Sequence, residues 1–68
     1  MSYSIAVYTC FVSATRKYVR ATSPEHAALV MAHWHQVTVG IAPEGWTTVR
    51  VNETTYCVNL LSGYVEKE

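Results

Sequence analysis

Three histidines fall within one predicted helix, and imidazoles carried on a helix are a natural start for a metal ligand set. Two ligands on one helix face need a spacing of three or four residues. His26 and His33 are seven apart, about 10 Å along the axis, and His33 and His35 diverge by about 200°. That spacing builds no metal site, and near the helix C-terminus His33 and His35 instead complement the dipole when protonated. Acid–base or nucleophilic catalysis fares no better. The chain has no Asp, and Glu25, Glu44, Glu53, Glu66 and Glu68 are scattered over predicted loops, the helix start and the tail. No glycine-rich phosphate loop is present, and so small a core leaves little room for an enclosed pocket. A non-enzymatic protein without metal or cofactor is the expectation. Cys10 and Cys57 are too far apart for a zinc knuckle or a redox pair, and in their apolar strand-like runs they read as buried free thiols.

The remaining chemistry is that of binding. Arg16, Lys17 and Arg20 cluster around Tyr18, and with Arg50 further on they form the candidate partner-binding patch, which Tyr8 on the preceding strand would join in a stacking platform. Such a mixture is either a contact surface for a protein or a stacking platform for single-stranded nucleic acid. Its bland counterpart is a solvated strand face with ordinary cross-strand pairs. The formal net charge is zero, which argues against a strong non-specific nucleic-acid binder and leaves a protein as the expected partner. Half of the 68 residues are hydrophobic and 15% are charged, against roughly 25% in typical domains. Some apolar surface must therefore stay outside the core, and a homo-oligomer such as a homodimer, or a protein partner, is the simplest way to cover it, with a homo-oligomeric structural subunit or a sheet-face nucleic-acid binder as alternative functions.

These residues must be positioned by a small set of elements around one helix, Ser23 to Gln36. Ser23 suits an N-cap, Pro24 the first turn, and Glu25 the positive end of the dipole. Ala27, Val30, Met31 and Trp34 recur at helical spacing and define its buried stripe, with Glu25, Leu29, His33 and Gln36 pointing away. Before it, Tyr3 to Val12 reads as a long strand for the middle of a sheet, and after the break at Ser13-Ala14-Thr15, Arg16 to Ala21 closes a hairpin. Val37 to Ala42 is a short strand or an ordered crossover. Pro43-Glu44-Gly45 is a turn, Trp46 to Val51 a clear strand, and Asn52-Glu53 a tight turn into a strand over Thr54 to Leu61. Tyr64-Val65 adds a short edge before a charged end, Glu66-Lys67-Glu68, that frays. Trp34 and Trp46 are expected in the core, with a rim position as the alternative for Trp46. The fold class is α+β, a single compact domain with one antiparallel sheet of four to five strands and one helix on a face, in the order β-β-α-β-β(-β). No run approaches the ~18 apolar residues of a membrane span, and the N-terminus lacks the features of a secretory signal, so the expected location is cytoplasmic.

In length, element order and the phrase ATSPEHAALVMA at its strand-to-helix junction, the chain resembles small phage-encoded anti-CRISPR proteins. The resemblance implies an inhibitor of a host defence assembly, acting in the host cytoplasm. It carries over no functional residues, and for a neutral chain it implies action by protein contact.

Overall fold

The computed structural model describes residues 4–40 and 44–68. Its elements are β1 (Ala6–Val12), β2 (Thr15–Ala21), α1 (Pro24–Val39), β3 (Trp46–Val51), β4 (Thr54–Asn59) and β5 (Tyr64–Lys67). All five strands form one antiparallel sheet in the spatial order β2-β1-β3-β4-β5, with α1 packed on one face. The α+β architecture expected from the pattern is the architecture observed.

Two tight turns set the register. Val12 pairs with Thr15 across Ser13-Ala14, and Val51 with Thr54 across Asn52-Glu53. Each turn places its first residue at positive φ, 53° at Ser13 and 55° at Asn52, the backbone sense that matches the twist of flanking strands. Asn52 also does the work of a strand residue. Its amide donates to the Thr9 carbonyl at 2.7 Å while its Oδ1 accepts from the Thr9 amide at 3.1 Å. This clamp extends a β1–β3 ladder that otherwise has only the pairs Cys10–Val51 and Phe11–Arg50.

The helix begins as its residues dictate: Ser23 Oγ accepts the His26 amide at 3.1 Å, and Pro24 occupies the first turn. It ends later than expected. Val37, Thr38 and Val39 continue it, so the strand or crossover expected from Val37 does not start there; Ile41 and Ala42 lie outside the described residues. β-Branched residues cost a helix only a few tenths of a kcal/mol each. Thr38 recovers some of this by donating its Oγ1 to the Trp34 carbonyl at 3.2 Å. The stop comes at Gly40, with φ 90° and its amide donating to Gln36 at 2.8 Å.

The buried stripe also differs from the expected one. Ala27, Ala28, Met31 and Ala32 are fully buried, whereas Val30 is 40% exposed, Trp34 only half-buried, and Leu29 packs against the core margin. The three alanines let the helix backbone settle close to the sheet, which larger side chains would hold off. Facing them are Cys10, Val12, Val19, Ala21, Val49, Val51, Tyr56 and Val58. No polar or charged side chain is buried among the described residues.

The second half closes around Asn59, whose Oδ1 accepts the amides of Leu61 and Ser62, both at 3.0 Å, and whose Nδ2 donates to the Glu44 carbonyl at 3.2 Å. β4 therefore stops at Asn59, short of Leu61. The charged end does not fray: Glu66 and Lys67 pair with Cys57 and Tyr56, and the Glu68 amide donates to Thr55 at 3.0 Å.

Candidate functional site: the open face of the sheet

Alternation along each strand sends every second residue away from the helix. On β1 these are Val7, Thr9 and Phe11; on β2, Arg16, Tyr18 and Arg20; on β3, Trp46, Thr48 and Arg50; on β4, Thr55, Cys57 and Asn59. All three arginines of the chain thus share the uncovered face. The register builds one continuous row, Arg16–Phe11–Arg50–Thr55, in which the Phe11 ring has an arginine on each neighbouring strand.

The guanidinium of Arg50 lies 4.3 Å from the Phe11 ring centroid, and that of Arg16 lies 5.6 Å from the Tyr18 centroid. Both contacts are cation–π interactions on an exposed surface. Tyr18 is 64% exposed, and among the described residues none of the three arginines has a carboxylate within 4.0 Å. Their positive charge therefore faces solvent. A hollow opens beside Arg50 where β1 and β3 part, bordered by Phe11, Ser13, Thr48 and Thr55, with His35 at its helix side. At the far end of the same face Trp46 meets Tyr64 edge to face, with centroids 6.4 Å apart. The acidic residues Glu66 and Glu68 line the β5 edge: Glu66 pairs with Cys57, and Glu68, whose amide donates to Thr55, lies across β4 from Arg50.

The expected patch is thus partly assembled. Arg16, Tyr18, Arg20 and Arg50 come together, but Lys17 points to the helix side, its Nζ 4.3 Å from the Trp34 ring centroid. Tyr8 is likewise half-buried against the core and takes no part in a platform. Phe11 is the ring that the sequence reading left out of the patch. Its position opposite Arg16 follows from the two-residue turn, so the signal was present. Its contact with Arg50 depends on β1 lying beside β3, which local pattern does not show. Trp46, expected in the core, is 45% exposed on the open face.

Neither cysteine is poised as a nucleophile. Burial pushes the Cys10 thiol above its ordinary range, and the thiol stays protonated near neutral pH. Cys57 is half-buried on the open face, not in the core as its apolar run suggested, and donates to Glu68 Oε2 at 3.1 Å. That hydrogen bond, then partial burial and the charges of Glu68 and Glu66, raise its pKa as well. Both thiols are free. Among the described residues no three of His, Cys, Asp or Glu gather to hold a metal ion, and no helix is long and apolar enough to cross a membrane.

No protein-family model matches the chain, and no curated protein or solved structure is significantly similar to it.

Proposed function

We propose that the protein acts by binding, through the open face of its sheet, and that its partner presents an anionic surface to Arg16, Arg20 and Arg50. One observation carries the reading: the three guanidiniums share a solvent-facing platform with Phe11 and Tyr18, with no carboxylate of the described residues within 4.0 Å and without a part in the core. Interleaved arginine and aromatic residues are the side chains that contribute most at binding surfaces. The zero net charge is compatible with this, because local potential and not the total decides what a face attracts. A two-fold contact centred on Phe11 would set arginine against arginine, so a second copy is a poor occupant of this end of the sheet. An acidic face on a host protein assembly, the partner implied by the anti-CRISPR likeness, would use the same arginines.

Retention on immobilised heparin, a polyanion with no bases, tests the reading. The unmodified protein should be retained, and the variant carrying Arg16→Gln, Arg20→Gln and Arg50→Gln should elute at clearly lower salt with an unchanged thermal midpoint. Identical elution of the two would remove the face as an anion-binding surface.

A further inference from the structure

We infer that the ligand of the open face is single-stranded nucleic acid, an inference that rests on that face being the binding surface. Positive charge alone does not distinguish a phosphate backbone from a carboxylate-rich protein. The flat groups between the charges do. Arg50 lies over Phe11 at 4.3 Å and Arg16 beside Tyr18 at 5.6 Å, so the face presents rings and ring-supported guanidinium planes together. Unpaired bases stack on both kinds of surface. An acidic protein surface would match the cations but offers a planar group only where an aromatic or guanidinium side chain happens to lie, whereas every nucleotide carries one.

The spacing agrees. Along β2 the exposed residues alternate Arg16, Tyr18, Arg20 at steps of about 6.6 Å, the two-residue rise of a strand. A single strand of nucleic acid likewise alternates charged phosphates with flat bases. Thr9, Thr48 and Thr55 lie among these groups and supply hydroxyls for base edges or phosphate oxygens. The hollow beside Arg50 offers a place for a base turned out of the stack.

Duplex recognition finds no such support. A major groove admits a helix or a two-stranded β-ribbon. No Lys or Arg occurs between Arg20 and Arg50, the span that contains α1, and the three arginines are spread over a three-strand width of one sheet, from β2 to β3, broader than a ribbon. The acidic residues fix the path as well. With Glu66 and Glu68 at the β5 edge, the bound strand crosses β2, β1 and β3 and stays clear of β5.

Fluorescence anisotropy with end-labelled oligo-dT and oligo-U of about ten nucleotides, a length within the site sizes of single-strand-binding folds, tests the inference. The unmodified protein should bind with an affinity that falls with salt at a logarithmic slope near −2, from about three phosphate contacts at roughly 0.7 each. Tyr18→Ala removes an exposed ring and should weaken binding about tenfold while leaving that slope unchanged. Arg50→Gln should weaken binding and flatten the slope. A duplex of equal length and polyglutamate should compete poorly. If polyglutamate competes as well as the oligonucleotide, or Tyr18→Ala binds normally, the nucleic-acid assignment is overturned and the face takes an anionic protein surface. If neither oligonucleotide binds but arginine-dependent heparin retention persists, this inference fails and the proposed binding face stands; loss of both removes both.

Discussion

The two faces of the one sheet are built from alternate residues of the same strands, and they answer different physical demands. Val49 is fully buried and its neighbour Arg50 exposed; Val19 is buried between the exposed Tyr18 and Arg20. Toward the helix the sheet presents Val, Ala, Cys and Tyr56 against three alanines and Met31, with no buried polar or charged residue among the described residues. That face is complete in itself. The open face carries every arginine of the chain and a run of rings, and its cation–π contacts lie outside the core cluster. Residues of the first face should therefore govern stability, and residues of the second should govern binding.

The largest effect is expected at Met31, the bulkiest fully buried side chain. Met31→Ala should cost about 2–5 kcal/mol, as for other large-to-small core changes, and could leave so small a domain largely unfolded. Circular dichroism with thermal melting measures this directly. A midpoint close to that of the unmodified protein would mean that the helix-facing side is not the stabilising one.

Asn52 joins the two faces, because its clamp on Thr9 holds β1 beside β3 and so keeps Arg50 over Phe11. Asn52→Ala loses the Oδ1 bond and places a non-glycine residue without a polar side chain at φ 55°, at an expected cost of about 1–2 kcal/mol by urea unfolding. Asn52→Gly relieves the backbone strain and should cost less. Both should elute earlier from heparin, since the row through Phe11 loosens.

Much of this arrangement was legible in the residues. Strand alternation separated Lys17, Val19 and Ala21 from Arg16, Tyr18 and Arg20, the Asn52-Glu53 turn fixed the second hairpin's register, and Ser23-Pro24-Glu25 marked the helix start. The first break was expected over Ser13-Ala14-Thr15, whereas Thr15 already pairs with Val12. The misreadings have identifiable causes. Val30 is more hydrophobic than Ala28 or Ala32, but a helix lying close to a sheet favours small side chains on the contact side. Gly40 weakened a supposed strand, whereas it caps the helix. The pairing of β1 with β3 joins residues about forty positions apart, and no local pattern encodes it. The Arg50–Phe11 stack, the centre of the candidate site, was hidden for that reason.

Lys17 and Arg16 are sequence neighbours on opposite faces, and they sharpen the comparison to a single peptide unit. Lys17→Gln removes the contact with Trp34 and should lower stability by roughly 0.5–1 kcal/mol with heparin retention unchanged. Arg16→Gln should do the reverse. The same shift in both variants would blur the division.

The smallest effect is a matter of titration. Cys10, Cys57 and Tyr56 hold their protons more tightly folded than in isolation, Tyr56 chiefly through burial. Their contribution is fully present below the ordinary thiol value of 9.0 and declines as pH rises past it, because the unfolded chain then ionises first. The thermal midpoint should fall as pH rises above about 9, and Glu68→Ala, which removes the acceptor and the charge beside Cys57, should make that fall shallower. A midpoint that rises over this range would contradict the sign.

The division between a stabilising face and a binding face is tested most directly by mapping amide chemical shifts of nitrogen-labelled protein titrated with oligo-dT. The expected result is a set of shifts confined to β1, β2 and β3 around Thr9, Phe11, Arg16, Tyr18 and Arg50, with the helix from Pro24 to Val39 unmoved. Shifts gathered on the outer side of that helix would contradict it.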